Sequence, residues 1–288
     1  DEVTKQPVEK ASGFTGRWTS KLVGYHNKLY FIGEDTEHGT ELWVYDDESE
    51  EVSLAADIFP GEKLGYDGIT LYPNSSKPSG LTVYQDKLYF FALDESGLIR
   101  LWFYDDKQGT AHLVIDDTHE NGFSDFNGNS GVRYLFNNLL VHNDKLYFSH
   151  CNSENNCQIW VKTNHLIEPL LSIYGETVGS EGTQVHKFYV MDDLLYFVEG
   201  YSSRESLLSY HLLESTVKTV LTETEDNYKY PTINSLTQYG DYLAFSVKYW
   251  DEAVGGSKIR LITYDASTGE VTPRMKSRKM SDFVVFHS

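Results

Sequence analysis

The chain has 288 residues, and its acidic residues outnumber the basic ones 43 to 24, a net charge of −19. Such a surface repels phosphates and anionic headgroups, so neither nucleic acid nor membrane insertion is expected. No apolar run approaches the ~20 residues of a membrane-spanning helix, and 21 tyrosines against 3 methionines favour strands over helices.

The first apolar block is Lys28-Leu29-Tyr30-Phe31, followed by Leu42-Trp43-Val44-Tyr45-Asp46. The pair returns as Lys87-Leu88-Tyr89-Phe90 with Leu101-Trp102-Phe103-Tyr104-Asp105, then as Lys145-Leu146-Tyr147-Phe148 with Ile159-Trp160. Two worn copies follow: Leu194-Leu195-Tyr196-Phe197 with Leu208-Ser209-Tyr210, and Tyr242-Leu243-Ala244-Phe245 with Leu261-Ile262-Thr263-Tyr264-Asp265. The Leu-Tyr-Phe positions are spaced by 59, 58, 49 and 48 residues. A period this long marks a stacked array of one supersecondary unit.

Each copy divides into four short apolar runs separated by turn residues, which is an antiparallel meander. The inner runs are continuously apolar, so they need cover on both faces. Copies stacked face to face around an axis supply it. The expectation is an all-β chain folded as a single β-propeller domain over residues 1–288, with five blades of four antiparallel strands. The copies lie near residues 20–58, 80–116, 138–173, 186–223 and 233–277, and residues 281–287 are expected to close the ring as a lone strand. Trp43, Trp102 and Trp160 occupy one repeat position and are expected to be buried between blades.

The two long connections between blades, Asp57 to Gly80 and Asp116 to Arg133, are rich in aromatics, amides and carboxylates. Flat rings beside short polar groups suit stacking on a sugar and hydrogen bonding to its hydroxyls. Tyr66, Asp67, Phe123, Asp125, Asn127, Asn129 and Arg133 are the candidate ligand-binding residues. Trp250, outside the repeat frame in the connection between the second and third strands of the fifth copy, joins them as an exposed aromatic. Asp125, Asn127 and Asn129 alternate as oxygen ligands do in a calcium loop, although Phe136 stands where a bidentate Glu would close it. Calcium is therefore the one cofactor the pattern admits, and a plain turn explains it as well.

Cys151 and Cys157 are the 2 cysteines. The repeat frame puts them on facing arms of a hairpin, within reach of a disulfide and hence in an oxidising compartment. Asn74-Ser75-Ser76 is a glycosylation acceptor pattern. The histidines show no zinc spacing, and no hydrolase elbow or phosphate loop occurs.

Gly39-Thr40-Glu41-Leu42-Trp43-Val44-Tyr45-Asp46 and Asp57-Ile58-Phe59-Pro60-Gly61 resemble a propeller repeat named for its motif Glu-Leu-Trp-x-x-Asp-Gly-Thr, the hyalin-like type. The second copy keeps Leu101-Trp102 and Asp105 but has Arg100 in place of Glu. The resemblance covers roughly the first 120 residues. It implies a secreted or surface protein and says nothing of catalysis.

The expected function is non-catalytic: an extracellular or cell-surface binding module for a glycan or a protein, working through the rim. One alternative is a glycoside-processing enzyme, which needs two carboxylates facing each other ~5–10 Å apart. The innermost runs hold no acid, and Asp86, Asp144, Asp192, Asp193 and Asp241 fall at their ends as turn residues. The other alternative is a structural part of a larger surface assembly.

Overall fold

Tight turns set where the strands begin. His26 and Asn27 have φ of 49° and 60°, Gln85 and Asp86 48° and 57°, and Asn143 and Asp144 47° and 54°. Two consecutive left-handed residues make the hairpin turn whose twist suits the strands on either side. The structure, a computed structural model, describes residues 22–114, 139–151, 157–164, 166–170, 184–201, 204–222 and 229–277.

Among the described residues every strand lies in an antiparallel sheet whose order follows the chain. The first sheet is β1 (Val23–Tyr25), β2 (Lys28–Asp35), β3 (Gly39–Asp46) and β4 (Glu51–Ala56). A two-stranded ribbon follows, β5 (Glu62–Leu64) and β6 (Leu71–Pro73). The second sheet is β7 (Ser79–Tyr84), β8 (Lys87–Leu93), β9 (Ile99–Asp105) and β10 (Thr110–Leu113). The third is β11 (Leu139–His142), β12 (Lys145–Cys151), β13 (Cys157–Lys162) and β14 (Ile167–Pro169). The fourth is β15 (Gln184–Met191), β16 (Leu194–Tyr201), β17 (Arg204–His211) and β18 (Val217–Leu221). The fifth is β19 (Lys229–Tyr239), β20 (Tyr242–Asp251), β21 (Gly256–Asp265) and β22 (Glu270–Ser277). The chain divides into two compact units, Asp1–Asp144 and Lys145–Ser288.

The register aligns the copies residue by residue. Phe31 faces Trp43, Phe90 faces Trp102 and Phe148 faces Trp160. In the worn copies Phe197 faces Leu208 and Phe245 faces Ile262. The fourth copy is therefore one residue out from its sequence reading: Leu207, not Leu208, matches Leu42.

Burial departs from expectation at the tryptophans. Trp160 is buried, but Trp43 and Trp102 are only half-buried. The sealed position is the residue before each, Leu42, Leu101 and Ile159, with Leu207 in the fourth copy. The Trp102 Nε1–H donates to the carbonyl of Ala92 at 3.3 Å.

In the first unit, Tyr30, Leu42 and Val44 of the first sheet pack on Leu88, Phe90 and Tyr104 of the second. In the second unit, Tyr196, Val198 and Leu207 pack on Leu243, Phe245 and Ile262. Leu88, Leu146, Leu195 and Leu243 are fully buried, whereas Leu29 is 40% exposed. Leu29 belongs to the first sheet, and no described sheet precedes it.

Polar clasps join neighbouring sheets at the turn end. Tyr25 donates to the carbonyl of Asp86 at 2.7 Å, and Tyr84 repeats this one sheet later to Asp144 at 3.1 Å. His26 meets Asp86 at 2.5 Å, and Lys28 and Tyr30 both reach Asp106, at 3.0 and 2.6 Å. Burial pushes the Asp106 carboxyl up, but the Tyr30 and Lys28 bonds outweigh it and leave it below its usual range.

The matching tyrosine of the fourth sheet, Tyr196, is fully buried with no partner for its hydroxyl. Its ring still meets Tyr264, edge-on at 79°, where Tyr30 meets Tyr104 at a tilt of 54°. The position equivalent to Asp106 is Ala266, so the acceptor has gone and the donor has stayed. The two tyrosines should respond differently to losing their hydroxyls. Tyr30→Phe should cost about 1.5 kcal/mol or more, whereas Tyr196→Phe should be neutral or stabilising, both read from urea denaturation midpoints.

Candidate functional site

The ribbon β5–β6 grows out of the connection between the first and second sheets, and one buried carboxylate holds both its feet. Glu41, at the start of β3, is fully buried. Its Oε2 accepts from the Ile58 N–H at 3.0 Å on the outgoing side. Ser76, on the returning side, donates its N–H to Oε1 at 2.7 Å and its hydroxyl to Oε2 at 2.5 Å. Burial pushes the Glu41 carboxyl up to about 7, against the pull of these three donors.

The returning segment runs so close to β3 that only glycine fits at Gly39. Its φ is +69°, and a Cβ there would sit 2.2 Å from the Asn74 carbonyl oxygen and 2.3 Å from the Ser75 hydroxyl. Thr40 N–H donates to Ser75 Oγ at 3.1 Å, and Lys77 N–H to the Thr40 carbonyl at 3.1 Å.

Above these feet, Asn74 closes the base, donating its side-chain amide to Pro60 at 2.9 Å and its N–H to Gly61 at 2.8 Å. Asp67 organises the tip, accepting from the N–H groups of Ile69 and Thr70 at 3.0 and 2.9 Å and from the Thr70 hydroxyl at 2.5 Å. The Thr70 hydroxyl is the main cause that brings the Asp67 carboxyl down to about 2. The Tyr72 ring lies over Gly65, where a Cβ would come within 2.5 Å of it.

This well-held scaffold displays apolar side chains to water. Tyr66 is fully exposed, Ile69 is 83% exposed, and Leu64, Leu71 and Tyr72 are each more than half exposed. Five large apolar groups stand exposed on one short ribbon, Leu64 and Leu71 as cross-strand partners on one face and Tyr72 on the other, unlike the single exposed apolar residues common on any surface. Acids stand around its base. Asp35 caps its own turn through the N–H groups of Glu37 and His38, at 3.1 and 2.6 Å. Asp57 lies within electrostatic reach of Asp35 and His38, and burial raises its carboxyl.

Of the sequence candidates, Tyr66 and Asp67 stand together at this tip, one displayed and one structural. Phe123, Asp125, Asn127, Asn129 and Arg133 lie outside the described residues, and the calcium candidate with them. Among the described residues no group of three His, Cys, Asp or Glu side chains is placed to hold a metal. Trp250, in the second unit, is 42% exposed. It does not sit in a connection as expected: β20 runs on to Asp251, and Trp250 pairs with Ser257 inside the hairpin. The neighbouring Asp251–Lys258 ion pair steadies that end, while Tyr249 is buried beside the Arg260 guanidinium, 5.3 Å from its ring centre. Cys151 and Cys157 are facing partners of β12 and β13, and Cys157 is buried.

Leu64, Ile69, Leu71 and Tyr72 were not among the sequence candidates. Asp67-Gly68 between Leu64 and Leu71 is a hairpin signal that would have found them.

No protein-family model and no curated protein sequence matches the chain. Among solved structures it is similar to the β-propeller domain of the Trilobed protease from Pyrococcus furiosus, at 12% identity and TM-score 0.46, over 90% of this chain and 69% of that one. It is also similar to TolB from Acinetobacter baumannii, at 12% identity and TM-score 0.46, over 88% of this chain and 54% of that one. A puromycin hydrolase S511A mutant complexed with PGG aligns at 11% identity and TM-score 0.51, over 90% of this chain but 38% of the hydrolase. These likenesses bear on fold alone.

The Glu41 clamp has a pH signature. Its folded-state carboxyl titrates near 7 rather than at the ordinary 4.5, so between these values the folded chain holds a proton that the unfolded chain has lost. This group's stabilisation is full below pH 4.5 and falls as pH rises through 7, by roughly 3 kcal/mol in all. Urea unfolding across that range should show the decline, and Glu41→Gln should remove its pH dependence.

Proposed function

We propose that the chain is a five-bladed β-propeller acting as a non-catalytic, secreted or cell-surface module that binds a glycan or a protein through its rim. The observation that carries the binding role is the β5–β6 ribbon. Exposing Tyr66, Ile69, Leu64, Leu71 and Tyr72 to water costs free energy, yet the ribbon that carries them is fastened by Glu41, Asn74 and Asp67. Scaffold holding such groups in place lowers the ordering cost of an encounter.

The propeller reading is supported by consecutive four-stranded meanders of one register with apolar groups on both faces. The non-catalytic reading is supported by the roles of the acids. Asp86, Asp144 and Asp192 sit in left-handed turns, while the carboxylates of Glu41 and Glu205 are taken up by backbone N–H groups. Secretion is supported by Cys151 facing Cys157 across β12 and β13, with Cys157 not a free thiol.

Two measurements test this. A glycan array paired with a protein pull-down identifies the ligand, and Tyr66→Ala should then weaken binding by about 1–2 kcal/mol with the fold intact. Unchanged affinity in Tyr66→Ala and in Trp250→Ala would remove the rim from the function. Mass spectrometry of non-reduced protein should find Cys151 linked to Cys157; two alkylatable thiols would remove the argument for an oxidising compartment.

A further inference from the structure

We propose that the outer edge of β5 is a strand-addition site for an extended segment of a protein partner that carries apolar and basic residues alternately along one face. The proposal rests on the rim-binding reading and specifies what the ribbon takes.

The hydrogen-bond parity of the ribbon decides which backbone groups are available. Gly65 donates to Thr70, and Asn74 donates to Gly61. Lys63 pairs with Tyr72 midway between them, so these three pairs turn their N–H and C=O groups inward. The alternate pairs, Glu62 with Pro73 and Leu64 with Leu71, turn theirs outward.

The two edges are not equivalent. On β6 the outward position at Pro73 has no N–H, so that edge is blocked as natural sheets block theirs. On β5, Glu62 and Leu64 each present an N–H and a C=O, and both residues are exposed. A third strand would bond to all four groups.

Side chains specify the addend. Leu64 and Leu71 are cross-strand partners on one face, so an apolar side chain of an added strand would extend that pair. Glu62 shares the face of Leu64, whereas Lys63 lies on the other. A basic residue two places from the apolar one would therefore stand beside Glu62, and Asp57, next to the ribbon's foot at Ile58, lies within electrostatic reach of Asp35 on a chain of net charge −19. A sugar offers no alternating N–H and C=O row, and the exposed Glu62 and Asp67 carboxylates oppose insertion into lipid.

The test uses the full chain and a short fluorescein-labelled peptide repeating valine-threonine-lysine-threonine, which sets valine and lysine on one face, followed by anisotropy. A peptide of the same sequence, N-methylated at every residue, keeps every charge and side chain but has no backbone N–H to donate from either edge. The unmethylated peptide should bind at least roughly tenfold more tightly than the methylated one, and the same peptide with glutamate for lysine should not bind. Glu62→Pro, at the first position of β5, removes an outward N–H and should weaken binding roughly tenfold, with the thermal midpoint unchanged. Glu62→Gln removes only the charge and should retain most of the affinity.

Equal binding of the two lysine peptides, or equal affinity in Glu62→Pro and Glu62→Gln, overturns the proposal. So does co-sedimentation with phosphatidylcholine vesicles without peptide binding. Should Glu62→Pro not fold, the methylated peptide on the unaltered chain still decides. If Tyr66→Ala weakens a ligand while the two lysine peptides are indistinguishable, strand addition fails and the rim reading stands.

Discussion

A four-stranded sheet that is apolar on both faces cannot stand alone in water, and this constraint governs the rest. Neighbouring strand residues point to opposite faces, yet Tyr30 and Phe31, Tyr89 and Phe90, Tyr147 and Phe148, and Tyr196 and Phe197 are all buried. Each such side chain is worth about 1.5–3 kcal/mol when removed from water. Every sheet therefore needs a neighbour on each side, which selects stacked copies over a layered sandwich.

A dry interior makes each polar group within it consequential. Glu41 and Glu205 answer this in the same way, from the start of a third strand. Each accepts the backbone N–H of chain leading into or within the next sheet, Ser76 in one case and Ile233 in the other. Lys187 adds a cation to Glu205 at 3.2 Å, while Glu41 has only neutral donors. Burial of His186 beside that group, with Lys187 nearby, drives its imidazole down to about 4 and keeps it neutral. Tyr196 shows what remains when one member of such a pair is replaced.

The sequence shows the repeat through Leu-Tyr-Phe and its distant Trp partner, because a strand buried on both faces has little freedom of composition. The register of the first three copies could be read directly from those residues. The fourth could not, because Leu207 and Leu208 are adjacent leucines and the tryptophan that marks the position in the first three copies is absent. Large aromatics are usually sealed, yet Trp43 and Trp102 are half-buried while Leu42 and Leu101, on the opposite face of the same strands, are fully buried. The ribbon was legible only as a long connection. Its turn signal is clear, but which of its apolar residues face water depends on Glu41 and Gly39 holding its feet, and neither lies within it.

Chain order and sheet order coincide throughout, so nearly all strand pairing is between segments joined by a short turn. Low sequence separation of this kind lets a meander form quickly. During synthesis each sheet can assemble as it emerges, with one greasy face left open until its successor arrives. The apolar run most exposed to misassociation is then always the newest, and Lys28, Lys87 and Lys145, at the head of three of the five inner strands, place a charge beside it.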